Sequence, residues 1–483
     1  MRSNREPERE PGSGRRVVIV GGGMAGTRLA QQLATAAGGS VGSVDVTVIG
    51  EEPHPAYNRV LLAEVLAGRY APGVIALPAL AAGRRLSGVR VVRLDRDPGE
   101  VVCDDGRRVP YDSLVLATGS NPVLPPLRGL FEPHGHELPD GVHAFRTMDD
   151  CLALAAAVRP GARAVVIGGG LLGVSAARAL AQRGAQVVLA HQGEHLMERQ
   201  LDAGASRVLR QHVEALGVEV HTECRVRGLR TRSLDGGGRA VSAAELADGY
   251  ALEADLVVLA CGVRPRVGLA RAAGLDVARG VVVDDELRTS DPRVFAIGDC
   301  AEHGGVLYGL AGPAQDQADV LARILSPTPP LPETQGLRSA PGLDASHLVV
   351  GNRAAEGAPP SGSWGRHGWA QPGHRAAPGS ETGPRYTGSR ALTRLTLATA
   401  SASSPLDLAA FGETTPAPGD DVVQLADATR NAYRKVVVRG DRLVGGILLG
   451  DLGSVGALAR TWEGDEPLPS TPLLHLLTND GGS

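Results

Sequence analysis

The sequence predicts an α/β fold, and the prediction rests on two similar patterns and a change in composition. A β-branched run at 17–20 leads into a glycine-rich turn at 21–26, which opens an alanine- and leucine-rich stretch at helical spacing. The same succession returns at 165–167 and 168–173. A strand, a GxGxxG turn and a helix in this order are typical of a Rossmann-like βαβ unit. After a segment rich in Pro, Gly and Ser, strand patterns at 422–425, 433–438 and 443–450 predict a small C-terminal α+β domain. The Gly440-Asp441 turn between the last two patterns predicts a hairpin.

The first glycine-rich turn predicts a cradle for the phosphates of a dinucleotide. Gly21 permits the tight turn, Gly23 lets backbone N–H groups approach a pyrophosphate, and Gly26 lets helix and strand pack closely. The phosphates then lie at the start of the helix that opens with Met24 and Ala25, where unpaired N–H groups and the helix dipole favour anions. These five residues are therefore predicted to bind a cofactor.

The second glycine-rich turn repeats this arrangement. Gly168, Gly170 and Gly173 hold the glycine positions, and Leu171 and Leu172 open the helix, so these residues are predicted to bind a second cofactor. Two dinucleotides in one chain are the layout of a flavin enzyme that is reduced by a nicotinamide. FAD and NAD(P)H are therefore the predicted cofactors.

An acidic residue ends the strand that follows the first helix. This strand reads 45–51 and closes on Glu51, somewhat over twenty residues past the glycines. A carboxylate in this place suits hydrogen bonding to an adenosine ribose, and the alternative is a surface carboxylate at a strand end. We predict that Glu51 binds the ribose.

The composition narrows the classes of function. The formal net charge of −4 over 483 residues gives no electrostatic case for nucleic acid or an acidic membrane. Lys435 is the only lysine, and we interpret the many arginines as compositional bias. The five cysteines lack metal-ligand spacing, and no apolar stretch is long enough to cross a membrane. We expect reduced thiols, no metal site and a cytoplasmic location.

Five motifs stand in a fixed order along the chain. They are the first glycine turn, Ala117-Thr118-Gly119, the second glycine turn, Ala260-Cys261-Gly262 with Pro265, and Gly298-Asp299. This order resembles the pyridine nucleotide–flavin oxidoreductases of the ferredoxin reductase and disulfide reductase superfamily. The resemblance implies cofactor-binding roles for Thr118, Gly119, Gly262, Gly298 and Asp299, with Asp299 directed at the ribityl chain of FAD. It implies no acid–base side chain, because the flavin performs the redox chemistry.

Within that superfamily, the stretches 51–62, 145–150, 262–265, 433–435 and 443–451 resemble the flavoprotein part of the assimilatory NAD(P)H nitrite reductase large subunit and the nitrate reductase electron-transfer subunit. Arg59 lies in the first stretch and is a predicted cofactor-binding residue. The resemblance implies an electron-acceptor protein as partner, either nitrate or nitrite reductase or a ferredoxin-like carrier. A homodimer is a further expectation. The sequence lacks the clustered cysteines of iron–sulfur and sirohaem modules, so electrons are expected to leave for another acceptor.

The motifs also divide the chain. We expect a disordered arm at 1–14, an FAD-binding domain at 15–144 and 280–325, an NAD(P)-binding domain inserted at 145–279, a low-complexity insert at 326–390 and a small C-terminal domain at 391–480. The insert lacks periodicity and cannot bury enough apolar surface to offset its ordering entropy.

Several residues depart from the pattern of these relatives. No CxxxxC follows the first βαβ unit, which makes disulfide chemistry beside the flavin unexpected. Ser175 stands where a glutamate commonly follows the second glycine turn, and the lysine that some relatives place near the flavin is missing. His191 lies where NAD-preferring relatives carry a ribose-binding acid, so a 2′-phosphate would not be repelled. His191 is predicted to bind the cofactor; a surface position and a role for nearby Glu194 are the alternatives.

Two other functions stay open from the sequence. One is a ferredoxin or rubredoxin reductase that serves a different carrier. The other is a flavin-bound sensor or interaction protein with little turnover, since a fold does not fix a function.

Overall fold

The computed structural model describes residues 14–36, 44–326, 383–397, 405–450, 452–464, 467–468 and 477. The predicted N-terminal arm, except for residue 14, lies outside this described part of the chain. The same holds for residues 327–382 of the predicted insert.

The first part of the chain forms most of the first nucleotide-binding domain. Its elements are β1 (Arg15–Val20), α1 (Met24–Ala36), β2 (Val44–Gly50), α2 (Leu62–Leu66), β3 (Arg84–Ser87), β4 (Val91–Asp95), β5 (Glu100–Cys103), β6 (Arg108–Pro110), β7 (Ser113–Leu116) and β8 (Ser120–Pro122). Short 3₁₀ turns cover Arg59–Leu61 and Pro72–Ile75. The last four residues of β1 are all buried, as expected for a strand that is covered on both faces of a parallel sheet.

The second domain follows without a long linker. Its elements are β9 (Val142–Ala144), α3 (Met148–Ala157), β10 (Arg163–Ile167), α4 (Leu171–Gln182), β11 (Gln186–Ala190), α5 (Ala203–Ala215), β12 (Val218–His221), β13 (Val226–Ser233), β14 (Arg239–Leu246), β15 (Ala251–Glu253) and β16 (Leu256–Leu259). The parallel sheet has the order β12-β11-β10-β16-β9. Beside it, β13, β14 and β15 form an antiparallel sheet that the sequence patterns do not predict.

The chain then returns to the first domain. The returning elements are β17 (Val263–Pro265), α6 (Gly268–Ala272), β18 (Val281–Val283), β19 (Val294–Ala296), β20 (Ala301–His303) and α7 (Ala311–Leu325). The parallel sheet of the first domain has the order β19-β7-β1-β2-β3, so a strand from the returning segment pairs with β7. The strands β8 and β17, at the two crossings between the domains, pair with each other.

The C-terminal domain is an antiparallel sheet with one side covered by a helix. Its elements are β21 (Leu392–Leu397), β22 (Leu406–Gly412), β23 (Asp421–Asp427), β24 (Ala432–Arg439), β25 (Arg442–Leu449) and α8 (Val455–Gly464). The strand order is β21-β22-β25-β24-β23. The sequence predicted the last three strands, with the hairpin between β24 and β25, but not β21 and β22.

A polar anchor joins the C-terminal domain to the second domain. Asp202 caps the start of α5, and its Oδ2 accepts hydrogen bonds from Lys435 Nζ at 2.7 Å and from the Tyr433 hydroxyl at 2.7 Å. The only lysine of the chain is therefore buried at this junction.

The predicted α/β class with two Rossmann-like domains and a C-terminal α+β domain is confirmed. Two boundaries differ in detail. Ala270 and Leu275 fall within the predicted NAD(P)-binding domain at 145–279, yet both are buried in the core of the first domain. The other boundary is that of the insert. Tyr386 falls within the predicted insert at 326–390, yet its side chain is buried in the core of the first domain. An aromatic side chain can join a neighbouring core even when its own segment has no periodicity. Among the described residues, no helix has the length and apolar character that crossing a membrane requires.

Candidate nucleotide-binding site

The first glycine-rich turn is shaped by two close backbone approaches. A Cβ atom at Gly21, where φ is +125°, would lie 2.0 Å from the carbonyl oxygen of Ala117. A Cβ atom at Gly26 would lie 2.1 Å from the carbonyl oxygen of Gly21. Gly23 differs, because no heavy atom lies within 4 Å of such a Cβ. Gly21 and Gly26 are thus required by packing, whereas Gly23 leaves an open side.

The second glycine-rich turn repeats this geometry. A Cβ atom at Gly168, where φ is +118°, would lie 2.3 Å from the carbonyl oxygen of Ala260, and one at Gly173 would lie 1.7 Å from the carbonyl oxygen of Gly168. Gly170 again has no heavy atom within 4 Å of an added Cβ. The two turns therefore provide two equivalent open positions, each at the start of a helix.

Both turns line one cavity of about 1400 Å³. Every predicted cofactor-binding residue lines this cavity except Gly26 and Gly173, which support the turns from behind. The lining residues are Gly21, Gly23, Met24, Ala25, Glu51, Arg59, Thr118, Gly119, Gly168, Gly170, Leu171, Leu172, His191, Gly262, Gly298 and Asp299. The C-terminal domain contributes Arg394 and Leu395 of β21.

The shape of the two turns fits dinucleotide phosphates. The open sides of Gly23 and Gly170 let a bulky anion approach the backbone, and a side chain there would fill that space. α1 and α4 start at Met24 and Leu171, so their first N–H groups point toward the same space. The residues present therefore fit the phosphates of one dinucleotide at each turn.

The charge of the cavity wall supports the same assignment. Among the described residues that line the cavity, eleven are arginines and four are carboxylates. The whole chain carries a net charge of −4, so positive charge is concentrated at this site. Compositional bias alone, the interpretation drawn from the sequence, does not explain the arginines, because many of them gather where two anionic ligands fit.

Glu51 lies at the end of β2 and is bound by an arginine that no sequence motif singles out. Arg266 Nη2 donates to Glu51 Oε2 at 2.7 Å, and Arg266 Nη1 donates to Glu51 Oε1. These hydrogen bonds hold the pKa of the Glu51 carboxyl below its usual value. The residues stand 215 positions apart, so no local pattern could have paired them.

Asp299 is held by two side chains from other parts of the chain. Its Oδ2 accepts hydrogen bonds from Ser120 Oγ at 2.8 Å and from Arg146 Nη2 at 2.5 Å. Burial lowers the pKa of Arg146, and its Nε is buried with no hydrogen-bond partner among the described residues. On the other side, Gln317 Oε1 accepts from the backbone N–H of Gly298 at 2.7 Å. The carboxylate of Asp299 is therefore fixed in position at the cavity wall.

Arg59 takes part in this same network. Its Nη2 donates to Glu52 Oε1 at 2.7 Å, and its Nη1 donates to the carbonyl oxygen of Arg146. The guanidinium lies 5.1 Å from the ring centre of Tyr57, whose hydroxyl donates to Glu52 Oε2 at 2.6 Å. Arg59 thus joins the segment after β2 to the start of the second domain.

Thr118 and Gly119 mark one crossing between the domains, and Gly262 marks the other. Thr118 Oγ1 donates to the carbonyl oxygen of Arg266 at 2.9 Å, and the N–H of Arg266 donates to the carbonyl oxygen of Gly119 at 2.9 Å. Gly119, Gly262 and Gly298 have φ values of +71°, +99° and +77°, which favour glycine. The crossings therefore lie side by side at the cavity.

His191 lies against the second glycine turn. Its Nδ1 accepts a hydrogen bond from the backbone N–H of Gly169 at 3.1 Å, and its ring covers that glycine so closely that an added Cβ would lie 2.6 Å from Cγ. Burial lowers the pKa of His191, so the ring is neutral at pH 7. The side chain of His191 therefore packs against the turn and does not point into solvent.

The acid nearest to this position is not the one considered from the sequence. Glu194 is exposed and does not line the cavity, whereas Glu198 lines it, with its carboxylate packed against Gly193. The loop after β11 brings Met197 back to the second glycine turn, where its backbone N–H donates to the carbonyl oxygen of Gly169 at 2.9 Å, and Glu198 follows directly.

No thiol pair or metal centre accompanies the site in the described residues. The described cysteines are all free, and burial raises the pKa of Cys261, which lines the cavity, to about 11. Ser175 Oγ donates to the carbonyl oxygen of Leu171 at 2.7 Å within α4 and so serves its own helix. Within the described ranges, no cluster of His, Cys, Asp or Glu could hold a metal ion.

Two curated proteins are similar to this chain in sequence. The chain is 31% identical over 476 residues to "Nitrite reductase [NAD(P)H]" of Bacillus subtilis (strain 168), covering 96% of this chain and 49% of that protein. It is 37% identical over 340 residues to "Assimilatory nitrate reductase electron transfer subunit" of the same organism, covering 69% of this chain and 42% of that protein. The chain thus spans about half the length of the curated relatives it matches, or less.

A solved structure of similar fold is that of the covalent putidaredoxin reductase–putidaredoxin complex. The TM-score is 0.72 at 22% identity, covering 96% of this chain and 98% of that chain. At this identity the likeness concerns the fold alone.

Family models match two parts of the chain. Residues 403–461 match the rubredoxin NAD+ reductase C-terminal domain, and residues 15–318 match the pyridine nucleotide-disulphide oxidoreductase model. The matches confirm the predicted superfamily, the oxidoreductase class and the predicted cofactors, FAD and NAD(P)H. The chain belongs to the pyridine nucleotide-disulphide oxidoreductase family.

Proposed function

We propose that this chain is an FAD-dependent NAD(P)H oxidoreductase that passes electrons to a separate acceptor protein, an assimilatory nitrate or nitrite reductase. The observation that carries the proposal is that both glycine-rich turns line one cavity. Two dinucleotides bound at these turns extend into the same space, where their redox-active rings can meet.

In this proposal the chain binds and orients the cofactors. Gly23 and the start of α1 hold the FAD phosphates, Glu51 takes the adenosine ribose, and Asp299 accepts from the ribityl hydroxyls. Gly170 and the start of α4 hold the nicotinamide dinucleotide, with His191 at its adenosine ribose. When bound, FAD accepts a hydride from the nicotinamide and passes electrons on.

Glu51 can bind the ribose only if its carboxylate keeps free acceptor sites while it is paired with Arg266. Both Glu51 oxygens accept hydrogen bonds from Arg266, and a carboxylate has about four lone-pair sites. Two ribose hydroxyls can therefore be accepted while the ion pair stays intact. Arg266 then holds Glu51 in place for the ligand.

The cysteines support an acceptor outside this chain. A thiol acts as a nucleophile or redox partner in its thiolate form, and a pKa of about 11 keeps the Cys261 thiol protonated near pH 7. The described free cysteines also support the expectation of a reducing, cytoplasmic location.

The acceptor decides between two candidate functions. The relatives named for nitrite and nitrate reduction favour a nitrogen-assimilating reductase. The match of 403–461 to the rubredoxin NAD+ reductase C-terminal domain favours a rubredoxin- or ferredoxin-like carrier as the second candidate.

Steady-state reduction assays test the proposal. The FAD-loaded protein is mixed with NADH or NADPH and, in turn, with an assimilatory nitrate reductase, a nitrite reductase, a ferredoxin and a rubredoxin. We expect the fastest turnover with one of the two reductases. Faster turnover with ferredoxin or rubredoxin would select the second candidate.

Light scattering of the same FAD-loaded protein measures its oligomeric state, for which we expect a homodimer.

A further inference from the structure

Tyr386 anchors its segment of the chain to the first domain, in whose core it is buried. Its ring packs edge-on against His303, with ring centres 4.9 Å apart, and against Tyr308 at 6.2 Å. The backbone N–H of Tyr386 donates to the carbonyl oxygen of Asp285 at 2.6 Å. We call residues 384–390 the anchor segment.

Ser389 continues the anchor segment with three hydrogen bonds. Its Oγ donates to Asp316 Oδ2 at 2.7 Å and lies 2.8 Å from the Tyr386 hydroxyl, while its backbone N–H donates to the Tyr308 hydroxyl at 3.2 Å. Between them, Gly388 takes a φ of +98°, and a Cβ there would lie 3.0 Å from the Tyr308 hydroxyl. The bend at Gly388 thus lets the hydroxyl groups of Tyr386 and Ser389 lie within hydrogen-bond distance of each other.

The contacted helix is the one that faces the flavin subsite. Asp316 lies in α7, next to Gln317, which is fully buried and accepts from the N–H of Gly298 at 2.7 Å. A short chain of contacts therefore leads from the anchor segment to the residue that precedes Asp299.

α7 also directs its N-terminus at the cavity. Ala311 and Ala314, in its first turn, line the cavity beside Gly298 and Asp299. Further along the helix, Arg28 in α1 donates two hydrogen bonds of 2.7 and 2.9 Å to Asp319. α7 is thus clamped from α1 and from the anchor segment.

We propose that Tyr386 and Ser389 are positioning residues for the flavin, and that the anchor segment sets both the place of Asp299 and the direction of α7. This inference rests on the proposed function, in which FAD occupies the first subsite. The first N–H groups of α7 and its dipole favour negative charge at the cavity, so a displaced α7 would stabilise a reduced, electron-rich flavin less.

Two conservative variants test this role. Tyr386→Phe keeps the ring and removes the hydroxyl, and Ser389→Ala removes the bridging hydroxyl. FAD release is followed by the rise of flavin fluorescence after dilution of the FAD-loaded protein. We expect release to be about 3- to 10-fold faster in each variant, as the loss of one or two hydrogen bonds implies. We also expect a more negative flavin midpoint potential.

Tyr250→Phe is the matched control, because Tyr250 is 65% exposed in the turn before β15 and loses the same hydroxyl. The inference is overturned if release rate and potential in Tyr386→Phe and Ser389→Ala equal those of Tyr250→Phe. It is overturned even if the two variants unfold at a lower temperature, because a merely structural role would lower stability alone. If the wild-type protein binds no FAD, the proposed function fails as well, and that outcome is seen before any variant is made.

Discussion

The two glycine-rich turns share one backbone geometry but differ in what accompanies them. In both, the first and third glycines meet a carbonyl oxygen within 2.3 Å of an added Cβ, and the middle glycine faces open space. The residue directly after the next strand is Glu51 at the first turn and His191 at the second. Glu51 carries a negative charge held by Arg266, whereas His191 is neutral and accepts from Gly169.

The difference separates two tasks. The glycines fix where a pyrophosphate can approach, which any dinucleotide requires. The side chain after the second strand meets the adenosine ribose and can discriminate between ligands by its charge. A shared backbone therefore serves two cofactors, while a single side chain distinguishes the subsites.

The largest expected effect on cofactor binding comes from replacing the closely packed third glycine of each turn by alanine, one turn at a time. Gly26→Ala and Gly173→Ala would place a Cβ 2.1 and 1.7 Å from a backbone oxygen. Such overpacking costs about 1–3 kcal/mol or more. We expect Gly26→Ala to purify without FAD, and Gly173→Ala to retain FAD but lose reduction by NAD(P)H. Flavin absorbance and anaerobic reduction measure the two losses.

Gly170→Ala sharpens this comparison, because its Cβ meets no protein atom and its φ of −80° suits alanine. It should fold with wild-type stability yet bind NAD(P)H more weakly. Gly456→Ala in α8 serves as the control for a glycine outside the cavity. Equal NAD(P)H affinity in Gly170→Ala and wild type would show that the open side does not face the ligand.

The next effect concerns Asp299. Asp299→Ala removes the proposed ribityl acceptor and leaves the buried Arg146 without its carboxylate. We expect FAD binding to weaken by roughly 1–3 kcal/mol, measured by equilibrium dialysis. Asp235→Ala, an exposed carboxylate in the turn between β13 and β14, is the control. Unchanged FAD affinity in Asp299→Ala would remove Asp299 from the flavin site.

A smaller effect should follow from giving the second subsite the charge of the first. His191→Glu places a carboxylate where a 2′-phosphate would lie. The catalytic efficiency with NADPH should therefore fall more than the efficiency with NADH. We expect the ratio of kcat/KM for NADPH over NADH to fall about tenfold, or about 1.4 kcal/mol. In His191→Gln, whose side chain stays neutral, this ratio should fall much less. An equal ratio in His191→Glu and wild type would place His191 outside the ribose site.

The smallest effect is a difference in acid sensitivity. Burial lowers the pKa of His191 from 6.5, so the unfolded chain binds its proton first and stability falls as the pH drops below about 6.5. The pKa of Glu51 is lowered from 4.5 by Arg266, so its contribution is present above about pH 4.5 and is lost below it. Urea unfolding at about pH 7.5, 6 and 5 measures the free energy of unfolding. As the pH falls, this free energy should decrease less in His191→Gln than in wild type. An equal loss in both proteins would rule out His191 as the cause.

Local patterns sufficed for the parts of the site that are local. The strand–turn–helix succession lies within one short segment, so the glycine positions and the helix starts could be predicted from residues 17–26 and 165–173. The antiparallel strands β21 and β22 were missed, because their buried and exposed residues do not alternate regularly: β22 has four buried residues in a row.

The remaining parts depend on contacts between distant segments. Arg266 meets Glu51 across 215 positions, and Arg146 meets Asp299 across 153. Arginine is abundant in this chain, so its presence near a motif carried no signal. Tyr386 was missed for the same reason, since its partners His303, Tyr308 and Asp285 come from another part of the chain.

The central claim is that both subsites open into one cavity, where a nicotinamide can reduce a bound flavin. Stopped-flow mixing of the FAD-loaded protein with NADH and with NADPH, without oxygen or acceptor, tests it most directly. We expect bleaching of the flavin band at about 1 s⁻¹ or faster with at least one nucleotide, a rate typical of enzyme turnover. Reduction that takes longer than minutes with both nucleotides would contradict the claim and would favour a flavin-bound sensor.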